Sequence, residues 1–239
     1  MRQVIKRLAS WGLQEDVNAA LKYAFRRRLR RLGREGKIKT VYDLGAHHGN
    51  WARGMQRLLP GSDFHLFEAN PSCQPYLSRT GFHYYLAALS GKKGRRVFYT
   101  ADSTGDSFYR ENSVLTGLTA WRKRELDAVD LDSLVEERGI PAPDWIKLDV
   151  QGSELDILAG GRQTFSRARY LLCEIPLLPY NEGAPSFSNY LTAFADAGFH
   201  PVSIVEGHSV APPGGVGLLC QIDLFFERAG KYEKERVRA

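Results

Sequence analysis

Val41-Tyr42-Asp43-Leu44-Gly45-Ala46-His47-His48-Gly49-Asn50-Trp51 reads as the end of a strand, a tight loop and the start of a helix, with Asp43 where the strand ends. Gly45 and Gly49 lack Cβ, so the backbone there can turn sharply and approach a ligand closely. Downstream, Phe64-His65-Leu66-Phe67-Glu68 reads as a second strand ending in a carboxylate. In dinucleotide folds an acidic residue roughly 20 positions beyond the glycine loop holds ribose hydroxyls, and Glu68 fits that role. The loop itself is Asp-x-Gly-x-x-x-Gly and not G-x-G-x-x-G, which suits a nucleoside ligand without a pyrophosphate. On this stretch alone, a plain glycine turn joining strand to helix is the competing reading.

Working outward, strands and helices alternate from Ile38 onward. The pattern predicts strands at 38–44, 63–68, 83–89, 95–100, 127–131, 145–150, 169–174, 200–205 and 218–226. Helices are predicted over 51–59, 132–138 and 188–198, with others starting near Pro71 and after Ser153. Such alternation implies a parallel sheet with helices on both faces. Ser153, with Asp156 three residues later, has the look of a capping box. In open α/β sheets ligands sit outside the carboxyl ends of the strands, where Asp149 and Gln151 fall. Polar stretch 101–113 is either a solvent loop or a flap over a ligand, and 208–217 is a Pro/Gly-rich loop.

A helix is predicted over 2–35. Leu21, Phe25, Leu29 and Leu32 form one apolar stripe, and Arg26, Arg27, Arg28, Arg30, Arg31 and Arg34 fill much of the rest. Residues 1–39 hold 12 Lys/Arg against 3 Asp/Glu, a balance of +9, and the remaining residues balance at −3. The basicity thus belongs to the leader, as a docking surface or as a helical cap with a solvated basic face. No aromatic residues interleave with these arginines as on a base-stacking platform, so nucleic acid is not an expected partner. The expected division is a basic helical extension at 1–37 and a catalytic domain at 38–239.

Cys73, Cys173 and Cys220 are far apart and odd in number, without C-x-x-C spacing or a Cys/His cluster in the sequence. That argues against a disulfide framework or structural zinc site, and no metal is expected. No apolar run reaches the roughly 18 residues of a membrane span, and charges interrupt the N-terminus where a signal peptide needs an apolar core. A cytoplasmic setting is expected.

Six stretches in order now carry a resemblance: Val-Tyr-Asp-Leu-Gly-Ala at 41–46, Phe-Glu-Ala-Asn-Pro at 67–71, Ala-Leu-Ser at 88–90, Gly-Asp-Ser at 105–107, Trp-Ile-Lys-Leu-Asp-Val-Gln-Gly-Ser-Glu at 145–154 and Gln-Ile-Asp-Leu-Phe-Phe at 221–226. Together they resemble the FkbM family of S-adenosylmethionine-dependent methyltransferases over about residues 38–227. The resemblance implies a Rossmann-like, seven-stranded α/β fold whose last strand, about 218–226, runs antiparallel and inserts beside the fifth. It implies S-adenosyl-L-methionine as cofactor. Asp43, Gly45, Ala46, Gly49, Asn50 and Trp51 would surround its methionine and ribose part, and Glu68 and Ala69 its ribose. Ala88 and Ser107 would flank the adenine, and Asp149 would lie near the sulfonium and the acceptor. Two positions depart from the family pattern: His47 stands where Asn is usual, and Gln151 where Glu is frequent.

Methyl transfer is an in-line displacement for which the protein supplies alignment and a shaped site. A hydroxyl acceptor would benefit from a general base. Candidates at strand ends or loops are Asp149, His47, His48, Glu174 and His208, with Asp149 and His47 first as catalytic residues. The expected activity is O-methylation of a small-molecule hydroxyl, on a sugar or secondary metabolite. The alternatives are N-methylation of an amide or amine, and a non-catalytic nucleoside-binding module.

Overall fold

The computed structural model describes residues 2–100, 105–111, 121–210 and 218–230. Segments 101–104, 112–120, 211–217 and 231–239, which hold parts of the polar stretch, the Pro/Gly-rich loop and the charged tail, lie outside the described residues. The main sheet has seven strands in the order β3-β2-β1-β7-β8-β10-β9. These are β1 (Thr40–Leu44), β2 (Asp63–Glu68), β3 (His83–Leu86), β7 (Trp145–Leu148), β8 (Tyr170–Pro176), β9 (Phe199–Val210) and β10 (Leu218–Arg228). β10 lies antiparallel between β8 and β9, and β1, β2, β3, β7 and β8 run parallel. A small second sheet joins β4 (Ala88–Leu89), β5 (Gly94–Thr100) and β6 (Arg122–Val129). This is the Rossmann-like arrangement with an antiparallel last strand that the family resemblance implies.

The central strands are apolar on both sides because both faces are covered. Neighbouring residues therefore divide between two cores. Tyr42, Ile146 and Phe226 join a cluster with Leu131, Leu134, Ile157, Phe165, Tyr190 and Phe194. Those last six come from α4 (Leu131–Arg138), α5 (Glu154–Gly160), α6 (Arg162–Arg167) and α7 (Phe187–Asp196). Val41, Trp145 and Phe225 point the other way. They share a cluster with Ala52 of α2 (Asn50–Gln56), Leu77 of α3 (Gln74–Leu77) and Phe25, Leu29 and Leu32 of α1 (Arg2–Arg34). Phe25 sets its ring edge against Phe225 at 5.2 Å and Trp145 at 6.2 Å, and Arg28 reaches Glu227 at 2.5 Å. Higher on α1, the Asn18 amide exchanges two hydrogen bonds with the Gly207 backbone, at 2.8 and 3.0 Å, and Lys22 pairs with Glu206. Among the described residues, no helix is long and apolar enough to cross a membrane.

Three local expectations are corrected. The single strand expected at 83–89 breaks at Ala87. Its N–H bonds the Glu68 carbonyl at the last residue of β2, and with no further partner there the chain leaves to pair with β6. The strand expected at 127–131 runs instead over Arg122–Val129, because residues 122–128 pair with β5. Ser153 is no capping residue: its φ/ψ of −90/5 is not the extended geometry a cap needs, and its hydroxyl makes no capping bond. Gln151 and Gly152, at φ 55 and 105, instead fold the turn over the Glu154 carboxylate. That carboxylate accepts the N–H groups of Val150 at 3.0 Å and Gly152 at 2.9 Å, and the Tyr190 hydroxyl at 2.5 Å.

Candidate active site

A cleft open to solvent lies at the carboxyl ends of β1, β2 and β7. Its depth follows from one contact: a Cβ on Gly45, at φ +84, would stand 1.9 Å from the carbonyl oxygen of Asp149. Only glycine lets the β1 loop pass so close to the end of β7. Gly45, His47, Glu68, Ala69, Ser107 and Asp149, all expected from the sequence, line the cleft. Phe67, Ala87, Leu89, Phe98, Phe108 and Ile157 add apolar wall.

Other expected residues lie behind this surface. Asp43 is fully buried beneath it, and Ala46 packs into the core on the α1 side. Gly49, at φ 72, caps the start of α2, and the exposed Asn50 holds Arg53 at 3.1 Å. Trp51 stands edge-on to Trp145 at 5.1 Å. Ala88 is buried in β4, while its neighbours Ala87 and Leu89 face the cleft.

Glu68 is the buried acidic group of the cleft. Its carboxylate accepts the His47 N–H at 2.6 Å and the Asn70 N–H at 2.8 Å, and burial still leaves its pKa above the ordinary carboxylate value. The bond to His47 demands a left-handed backbone there, φ 47, a conformation in which Asn, Asp and His are enriched. A histidine at this position therefore keeps the loop geometry. Its ring stacks on His48 at 3.8 Å, and His48 on Tyr76 at 3.7 Å. Burial and the neighbouring His48 hold the His47 imidazole below its usual pKa.

The segment 105–111 crosses the cleft. Asp106 takes hydrogen bonds from the Asn70 amide and the Thr100 hydroxyl, both at 2.7 Å, and Ser107 donates to the Gln151 carbonyl at 2.7 Å. Tyr109 reaches Asp156 at 3.2 Å, and Glu111 forms a bridge with Asn181. This part of the polar stretch is thus tied to three strand ends.

Lys147, absent from the sequence-based candidates, is the centre of the buried electrostatics. Its ammonium lies 3.2 Å from Asp43, 3.0 Å from Asp149 and 5.6 Å from the Trp51 ring centroid. The two carboxylates push its pKa upward despite burial. Lys147 and the Gln151 amide, in turn, hold Asp149 below the usual carboxylate range. The signal in the sequence is a lysine inside Trp-Ile-Lys-Leu-Asp, a strand otherwise apolar up to its end.

A polar chain leads on from Asp149. The Gln151 side-chain amide donates to Asp149 at 3.0 Å and to Glu174 at 2.8 Å. Glu174, Asp223 and His208 bring their polar atoms within 4.8 Å of one another. Burial, then the charge of Asp149, pushes Glu174 up to about 9 and Asp223 up to about 7. Asp223 escapes sequence reasoning because it meets Glu174 and Glu206 only through the register of β10 with β8 and β9.

Comparison with known proteins places this geometry. Residues 43–201 match the family model described as the methyltransferase FkbM domain. The 2-O-methyltransferase NoeI of Sinorhizobium fredii (strain NBRC 101917 / NGR234) is 26% identical over 154 residues, 56% of this chain; the chain spans 62% of that relative's length. Among solved structures, the fibrillarin/Nop5p complex aligns with a TM-score of 0.47 at 12% identity, covering 81% of this chain and 74% of that one. The precorrin-6y C5,15-methyltransferase of Geobacter metallireducens GS-15 gives 0.45 at 10% identity, covering 83% and 87%. At such scores the fold rests on the strand order itself. With the glycine loop, Glu68 and the Lys147–Asp149 strand end all inside the matched span, the chain belongs to the methyltransferase FkbM domain family.

Proposed function

We propose that this protein is an S-adenosylmethionine-dependent O-methyltransferase acting on a small-molecule hydroxyl. The observation that carries the reading is the cleft at the β1, β2 and β7 ends, with the buried Glu68 carboxylate on one wall and Asp149 on the other. The residues present fit the cofactor. A carboxylate suits ribose hydroxyls, and the apolar wall of Ala87, Leu89, Phe98 and Ile157 suits a flat base. When bound, S-adenosylmethionine supplies an electrophilic methyl group on a sulfonium. Glu68, Gly45 and His47 would hold it, with segment 105–111 limiting access of water.

The chain's own residues divide the remaining work. Asp149, ionised by Lys147, is a poor proton acceptor and a good fixed negative charge, so it orients the acceptor and the sulfonium. An acceptor that reaches past Asp149 and Gln151 would meet the Glu174–Asp223–His208 group, which would take the proton of its hydroxyl. There a carboxylate held near pKa 7 is matched to working pH. The name of the 26% identical relative supports oxygen as the acceptor atom.

A second reading is N-methylation, favoured by the ionised Asp149 with Glu206 and Asp223 near it, which would attract a cationic amine. The test is calorimetric titration with S-adenosylmethionine, followed by assay of S-adenosylhomocysteine release across hydroxyl and amine acceptors with product mass spectrometry. Turnover on a hydroxyl acceptor is expected. Turnover on amines alone would select the second reading, and binding without turnover on either class would leave a nucleoside-binding module.

A further inference from the structure

His47, on the loop after β1, and Cys73, on the turn after β2, are 26 residues apart in sequence, yet with His48 they meet. The two imidazoles and the thiol bring their donor atoms within 4.8 Å of one another. No described residue hydrogen-bonds the ring nitrogens of His47 or His48 or the Cys73 sulfur. The rings are held in a stack, His47 on His48 and His48 on Tyr76, with interplanar angles of 19° and 22°. We propose that His47, His48 and Cys73 form a binding site for a borderline-soft divalent transition-metal ion of the zinc class.

The donor set suits that class. Imidazole nitrogen and thiolate sulfur are the preferred ligands of zinc, and three protein donors leave a fourth position for water. In a tetrahedral complex the donor atoms stand about 3.3–3.7 Å apart and each imidazole points at the ion within its own ring plane, so binding requires one histidine ring to turn out of the stack and bring its nitrogen to the ion. The local field favours a cation: the carboxylates of Glu68 and Asp106 act on Cys73, and those of Asp106 and Asp149 on His47. On binding, Cys73 gives up its proton and ligates as thiolate. The ion would join the loops after β1 and β2, the same two segments that Glu68 already ties through His47 and Asn70.

The test uses the whole chain and Co²⁺ as a spectroscopic probe, with Zn²⁺ as competitor. One equivalent of Co²⁺ should produce a near-ultraviolet thiolate-to-metal band that Zn²⁺ abolishes. Cys73→Ser should remove that band. His48→Gln should weaken Zn²⁺ binding by more than about tenfold in calorimetry. Zn²⁺ should raise Tm in the wild type and not in Cys73→Ser. Circular dichroism identifies variants that fail to fold, and the His48→Gln result stands if Cys73→Ser is among them. Absence of the band in the wild type, or its persistence in folded Cys73→Ser, overturns the proposal, as does unchanged Zn²⁺ affinity in His48→Gln.

Discussion

Lys147 shows how one buried charge fixes the chemistry of its neighbours. Asp43 has no exposure and neither of its oxygens meets hydrogen-bond geometry, so the Lys147 ion pair is what offsets its buried charge, while the same ammonium ionises a second carboxylate at the cleft. Removing one member of a buried ion network leaves the others uncompensated. Lys147→Met is therefore expected to lower unfolding free energy by about 3–5 kcal/mol in urea titration. A loss under 1 kcal/mol, within the range of an exposed pair, would show that the network does not matter to stability. Glu68 governs binding: Glu68→Gln keeps the side chain's size but loses its charge, and cofactor affinity should fall roughly ten- to a hundredfold, as measured by calorimetry. Unchanged affinity would remove Glu68 from the cofactor site. Glu68 was legible in the sequence because a carboxylate ending a strand at a fixed offset from a glycine loop is a local pattern. Lys147 was not, because Asp43 lies about a hundred residues away and the sequence does not show which strand is its neighbour.

At the scale of elements, the alternation of strands and helices was legible where the strands are buried apolar runs bounded by turn residues, as in β1, β2, β7 and β8; the charged, exposed β6 was not, and its start was missed. What periodicity could not place was β10: its position between β8 and β9 came only with the family resemblance. The break between β3 and β4 was also hidden, because it depends on where β2 stops. The apolar stripe of α1 was readable. What it rests on was not, since Trp145 and Phe225 arrive from distant strands. Leu29 is fully buried at that contact, so Leu29→Ala should cost about 2–5 kcal/mol in urea unfolding. If α1 were only an external cap with a solvated face, the loss would stay near zero.

For the molecule as a whole, the acidic group at the β8–β10–β9 edge sets a pH dependence. Glu174 has its pKa raised from 4.5 to about 9, so the folded state keeps a proton that the unfolded chain releases. The stabilising contribution is complete below about pH 4.5 and declines as pH rises towards 9. Asp223, raised from 3.8 to about 7, adds a slope of the same sign at lower pH. Glu174→Gln removes the first slope while keeping an acceptor for Gln151. The variant should therefore gain stability relative to wild type as pH rises from 5 to 9 in parallel denaturation curves; a constant difference would mean that Glu174 titrates normally.

The placement of β10 has a consequence for synthesis. β8 bonds β7 on one side, and its other edge is completed only by residues 221–227, some fifty positions further along. While a ribosome adds the intervening residues, that edge of a strand apolar except for Glu174 has no native neighbour, and β9 cannot occupy its final place without β10. The parallel half of the sheet can assemble first, but the final closure awaits the last strand. The interval is the point at which a growing chain is open to edge-to-edge association with another copy.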